Sequence, residues 1–295
     1  MKDFLFESRY LDPLTDFGFH KIFGTESCKE LLIDFLNGII KEEGLITDIQ
    51  YLQAEQWGNT ENDRKAIFDI FCINERGEFF IVEMQKAKQP HFQERSIYYA
   101  SFPIQRQAPQ GIWNFELKAV YLVAVLDFVL FKEFIDDEKS VIERVHLYRE
   151  RTKTPFSNKL NFVFVELPKF RKNEEDLVTN VDKWLYSLKN LSKLRNRPAS
   201  VQGRIFEKLF KFAEIKQLTQ EDMEAYRKSV LEYQDIRDAI DYAREEALEE
   251  GIERGIENEK IATLKKCIQL NLSTDVIVSL TGFSEEEIKQ LRVEK

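Results

Sequence analysis

The chain has 295 residues, 43% of them hydrophobic and 13% aromatic, which is ample for a well-filled core and excludes an intrinsically disordered protein. No apolar run approaches the roughly 18 residues of a membrane-spanning helix, and the charged opening MKDFLFESRY has no signal-peptide core, so a cytoplasmic location without a membrane partner is expected. The net charge of −9 argues against a uniformly basic surface for nucleic acid, but it averages two unlike stretches: residues 143–211 carry 16 Lys and Arg against 8 Asp and Glu, whereas 214–260 carry 7 against 15.

Taken in chain order, LDPLTDFGFHKIFG leads into a helical pattern over Ser27 to Ile40, where Leu31, Leu32, Phe35, Leu36 and Ile39 recur at three- and four-residue spacing. Three strand-like segments follow, Thr47 to Gln53, Lys65 to Asn74 and Glu78 to Lys86, with the polar loop QWGNTENDR between the first two. The last two are rich in Phe, Ile and Val and are joined by Asn-Glu-Arg-Gly, which predicts an antiparallel hairpin. Pro90 to Gln107 reads as a helix, Leu117 to Phe128 as a strand covered on both faces, and Leu160 to Leu167 as a further strand. The order helix, three strands, helix, strand implies an α/β core with helices on both sides of the sheet.

Beyond about Asn173 only helical patterns remain. Asp222 to Glu259 reads as one long charged helix whose end Gly251 and Gly255 weaken. The tail has two capping signatures, Ser273 and the Ser284–Glu287 box, with Gly282 in a turn between them. It is either a small helix-turn-helix or a helical hairpin packed on the chain's own helices. The expected organisation is a core over 1–172, a helical region over 173–258 and a tail over 259–295.

The three cysteines, Cys28, Cys72 and Cys267, form no CxxC pair, and His20, His91 and His146 are scattered. Any metal would therefore be held by oxygen, which favours magnesium or manganese. A hairpin turn centred on Arg76 sets Asp69 across from Glu83 and Ile67 across from Gln85, all on one face. Opposed carboxylates among Phe, Ile and Val repel one another at a cost that burial increases. A divalent cation between them would offset that cost; so would solvent at the sheet end, a proton, or pairing with Lys65 on the same face.

An Asp in one strand, a turn, then Glu-x-Gln at the end of the next resembles the PD-(D/E)xK nuclease core. More narrowly, TDFGFHKIFG, RKAIFDIFCINERGEFFIVEMQ and RSIYYASFPI, with GIERGIENEK and LTGFSEEEI downstream, resemble the Rpn family of recombination-promoting nucleases, a family also described as transposases. The resemblance covers most of the chain. It implies a restriction-endonuclease-like core, a mixed central sheet flanked by helices, followed by an all-helical C-terminal region.

By position it makes Asp69 the motif aspartate, Glu83 the second metal ligand and Gln85 the residue at which the wider superfamily has Lys. Gln carries no titratable group, so it can orient a water or stabilise charge but cannot act as a general base. Asp16 is the candidate third acid, with an N-cap as its alternative role. The family's basic residue falls at His20, with Lys21 beside it.

Arg95 and Tyr98 share a helix face and, with Lys86 and Lys88, are candidate phosphate contacts, as are Lys21 and Lys65; Tyr99 fits the same motif, and tyrosines at this spacing are more often core. The function implied is a magnesium- or manganese-dependent DNA endonuclease acting on double-stranded DNA in recombination or mobile-element biology, as a homodimer and without a small-molecule cofactor. A catalytically silent DNA-binding or assembly protein, and an RNA-cleaving toxin-like nuclease, are the alternatives.

Overall fold

The computed structural model describes residues 8–40, 45–56, 66–109, 111–133 and 141–293. The chain divides into two compact units, 1–236 and 237–295. The first opens with α1 (Asp16–Phe23) and α2 (Lys29–Ile39), the latter entered through a short 3-10 turn at Glu26–Cys28. Thr15, not Asp16, caps α1: its hydroxyl accepts the Gly18 N–H at 3.1 Å. Asp16 is thereby released for other contacts. The apolar stripe of α2, Leu31, Leu32, Phe35, Leu36 and Ile39, is wholly buried, as its spacing requires.

The strands are β1 (Ile49–Tyr51), β2 (Glu55–Gln56), β3 (Ala66–Ile67), β4 (Ile70–Asn74), β5 (Phe79–Gln85), β6 (Val120–Leu126), β7 (Ile142–Tyr148) and β8 (Pro155–Glu166). Six form one mixed sheet in the order β1-β4-β5-β6-β8-β7, in which β5, β6 and β8 run parallel and the other pairings are antiparallel. Helix α3 (Phe92–Arg106) makes the crossover that two parallel neighbours, β5 and β6, require. All seven residues of β6 are buried, in keeping with its continuous apolar run.

Alternation along β5 divides the core. Phe80, Val82 and Met84 join the cluster beneath α1, α2, α4 (Asn180–Asn190) and α5 (Arg204–Phe212), centred on Trp184 with Phe23, Phe35 and Phe206 around it. Phe79 and Ile81 face Phe92 and Ala100 of α3. Helices thus cover both faces, as expected.

The expected hairpin is present, with Ile70 opposite Val82 and Ile73 opposite Phe79. Its register is pinned by the turn: the Asn74 side chain accepts the N–H groups of Arg76 and Glu78, and Gly77 takes the positive φ of 79° that favours glycine. Two expectations need correction. The strand over 65–74 is not continuous, because Ala66–Ile67 leave the main sheet to pair with β2; Ile67 lies opposite Glu55, not Gln85. In addition, β7 is an edge strand that the reading of the sequence passed over. Its residues, IERVHLY, mix charge with apolar side chains and only partly bury them, so they leave a weak period-two signal.

Among the described residues no strand follows residue 173. The long helix α6 spans Gln220–Gln269, beginning near the expected start but running straight through Gly251 and Gly255 and ten residues past Glu259. Its first turns belong to the first unit, where Tyr226 and Val230 pack with Leu11 and the Tyr226 hydroxyl accepts the Asp12 N–H at 2.9 Å. In the second unit, α7 (Thr274–Thr281) and α8 (Glu285–Val293) fold back as a hairpin on the end of α6, burying Leu264, Cys267, Ile277 and Ile288 together. Gly282 makes the turn at φ 74°, and the Ser284–Glu287 capping box is formed in both directions, at 2.8 and 3.3 Å. Among the described residues no helix is long and apolar enough to cross a membrane.

Candidate active site

The break between β3 and β4 is what builds the site. Phe68, on the inner side of the break, is buried against Phe71, Tyr99 and Phe102. Anchoring Phe68 leaves Asp69 in a bend where the ladder with β5 would otherwise continue. Side chains take over the backbone's pairing there: Asp69 Oδ2 accepts the Met84 N–H at 2.7 Å, and Glu83 Oε1 accepts the Asp69 N–H at 3.3 Å. Gln85 Nε2 donates to the other oxygen of Glu83 at 3.3 Å. Asp69, Glu83 and Gln85 therefore meet on the α3 side of the sheet, at the carboxyl end of β5.

Both carboxyls are raised above the ordinary carboxylate range. Glu83 is 4% exposed, and burial followed by the charge of Asp69 pushes it up to about 8. Burial also raises Asp69, to about 6, against the Met84 N–H that favours its charged form. Asp69 keeps an exposed flank while Glu83 is enclosed, so Glu83 is the member that holds the proton. The pair in this state is short of positive charge.

Two cations border it. Arg95, in the first turn of α3, lies over the rings of Phe92 and Tyr99 at 5.1 and 5.7 Å and donates to the Gln89 side chain. Its charge lowers both Asp69 and Glu83, and its Nη2 is buried with no hydrogen-bond partner among the described residues. Lys86, one residue past Gln85, is 9% exposed at its side chain and pairs with Asp16 Oδ1 at 3.0 Å. Asp16 is thus committed to Lys86 and sits 69% exposed at the rim. From there its charge raises Asp69 without joining the carboxyl pair.

The remaining candidates are placed as follows. Lys21 is paired with Asp222 at 2.7 Å, and Lys88 points to the Leu130 carbonyl at 3.5 Å. Tyr98 is 42% exposed and meets Phe102 edge-on, whereas Tyr99 turns inward to Phe68 and Arg95. Lys65 lies outside the described residues. His20 is held below its ordinary pKa by burial and then by Lys21, which favours the neutral ring.

Sequence reasoning missed Asp127 and Tyr233. The Asp127 N–H donates to the Gln85 carbonyl at 3.0 Å, and its carboxylate accepts the Tyr233 hydroxyl at 2.7 Å. Lys86 lies over the Tyr233 ring at 5.7 Å. An acid directly after an apolar strand was a usable cue for Asp127. Nothing in the pattern of α6 distinguished Tyr233.

The donor set suits a hard divalent cation: two carboxyls, no thiolate and no imidazole, with burial that makes their ionisation costly until positive charge arrives. Among the described residues no third Asp, Glu, His or Cys joins to form a larger ligand cluster. Such a pair leaves most of a cation's coordination to water and substrate phosphate, a mode that Mg²⁺ commonly adopts.

A family model for PD-(D/E)XK nuclease family transposases matches residues 13–243. The chain belongs to that family. The match takes in the whole sheet, Asp16, the Asp69–Glu83–Gln85 constellation and Tyr233, and stops short of the hairpin tail. Neither the curated proteins nor the solved structures provide a match to the chain.

Proposed function

We propose that this member of the family is a divalent-metal-dependent endonuclease that hydrolyses phosphodiester bonds in double-stranded DNA, in recombination or mobile-element biology. The observation that carries the reading is the interlocked Asp69–Glu83 pair, in which each carboxyl is fixed by a backbone N–H of the opposite strand and both are raised by burial. Fixed geometry and missing positive charge are together what a cation site needs.

A Mg²⁺ or Mn²⁺ ion held by Asp69 and Glu83, when bound, supplies positive charge to the phosphate and acidity to a nearby water. The chain's own groups do the rest. Gln85 is tied through its Nε2 to Glu83, which leaves its carbonyl oxygen to orient the attacking water. Arg95, whose charge already acts on both carboxyls, adds positive charge for the phosphate at the same place. Lys86 reaches the same edge of the sheet, and Asp16 holds it in place. Lys21, Lys65, Lys88 and Tyr98 are assigned to flanking backbone contacts, and the protein is placed in the cytoplasm.

Cutting both strands calls for two such sites. Leu248, Ile252 and Ile256 of α6, exposed and four residues apart along one side of the helix, favour a second copy of this chain as the partner.

Plasmid DNA and RNA are incubated with the purified protein in Mg²⁺, in Mn²⁺ and in EDTA, beside Asp69→Ala. The proposal expects metal-dependent nicking of DNA that the variant loses. Cleavage retained by Asp69→Ala would remove the ligand assignment, RNA-only cleavage would change the substrate, and cleavage of neither polymer would favour a silent binding protein.

A further inference from the structure

On the sheet face opposite α3, a cavity of about 550 Å³ opens between β7, the segment after β8, and the start of α4. Its lining includes four cationic side chains, Arg144, Lys169, Arg171 and Lys172, and a single acid, Asp182. All lie within the basic stretch 143–211 that the proposed catalysis leaves unexplained. Lys169 is fully buried on Glu166 at 2.7 Å, and Lys172 meets Asp182 at 3.0 Å.

Arg144 is different. It stands opposite Val163, which directs it to the α2 and α4 side. One arm donates to the Ile39 carbonyl, while its Nε is buried with no hydrogen-bond partner among the described residues. Among the described residues no carboxylate forms a salt bridge with it; burial holds its guanidinium below the ordinary value, against the charge of Glu143, which raises it. A buried charged donor left unpaired is costly and rare in a native fold. Arg144 also lines the cavity, where an anion would meet the charge of its guanidinium.

The chemistry of that anion follows from the walls. A planar guanidinium with further cations beside it matches phosphate better than a single carboxylate, and Val181 and Leu185 add an apolar surface suited to a base. The volume falls in the range of a small-ligand pocket of about 300–1,000 Å³. We propose that this cavity binds a nucleotide through its phosphate, with Arg144 as the principal contact and Arg171 and Lys172 supporting it. The nucleotide is either the phosphorylated end of a nucleic-acid strand or a free mononucleotide. Only the first source rests on the nuclease reading.

The full chain in EDTA, where no cutting is expected, is titrated by calorimetry with adenosine 5′-monophosphate, inorganic phosphate and adenosine, and with short single-stranded DNA with and without a 5′-phosphate. The expected result is that the monophosphate binds and adenosine does not. Arg144→Gln should weaken that binding about tenfold or more. Arg171→Gln, at an exposed position, tests the site without burial at stake and should also weaken it.

A gain in affinity from the 5′-phosphate of DNA identifies the strand end as the ligand; monophosphate binding without that gain identifies a free nucleotide. No binding of monophosphate or phosphate, or binding that neither arginine variant alters, overturns the proposal. Because the readout is binding without metal, failure of the cleavage test leaves this result independent.

Discussion

Replacing Glu83 with Gln should make the metal-free protein more stable at alkaline pH. In the native fold Glu83 is raised to about 8 from an ordinary 4.5, first by burial and then by Asp69. A carboxyl raised on folding binds its proton more tightly in the folded chain than in the unfolded one. Its contribution is fully present below 4.5 and is lost as pH climbs through the window to about 8. At about 1.4 kcal/mol per decade, with Asp69 sharing the electrostatic cost, that loss is on the order of 3 kcal/mol.

Gln is neutral at every pH and close in shape to protonated Glu. Its oxygen still accepts the Asp69 N–H, and Gln85 has an amide that can turn to match. Urea midpoints in EDTA should therefore fall with rising pH for the native protein and stay nearly level for Glu83→Gln. Adding Mg²⁺ should restore the native midpoint at high pH and leave the variant unmoved. A level native profile, or one that Glu83→Gln reproduces, would refute the claim that this carboxyl is held protonated by its surroundings.

Three further outcomes follow from the same geometry. Asp69→Asn retains an oxygen for the Met84 N–H, so its melting temperature should change little while metal-dependent cleavage drops by more than about a hundredfold. Arg95→Met removes a cation that lowers both carboxyls; proton release on metal binding should shift to higher pH, and the salt dependence of DNA affinity should lose a slope of about one. Asp16→Asn removes a charge that raises Asp69, so in the metal-free variant the Asp69 carboxyl, followed by NMR, should titrate at lower pH than in the native chain.

Much of the sheet was legible because its signals are local. The Phe- and Ile-rich hairpin, its Asn-Glu-Arg-Gly turn and the apolar run of β6 each specify their structure within a few residues, and the register between Ile70 and Val82 follows from the turn alone. What escaped depends on tertiary choice. Ala66–Ile67 fit a strand in either sheet by pattern, and the anchoring of Phe68 under α3 decides that they leave the hairpin.

In the site, the Asp69–Glu83 juxtaposition was readable from strand alternation, but its interlocking with the Asp69 and Met84 N–H groups depends on the break that was not foreseen. The pairing of Asp16 with Lys86 and the reach of Tyr233 to Asp127 join elements distant in the chain. No spacing rule connects them.

The central claim is that Asp69 and Glu83 together hold a divalent cation. Its most direct test is Mn²⁺ bound per chain, measured by electron paramagnetic resonance on the native protein, Asp69→Asn and Glu83→Gln at equal concentration. The account predicts stoichiometric binding by the native chain and loss of that binding in both variants. Equal occupancy in all three would contradict it.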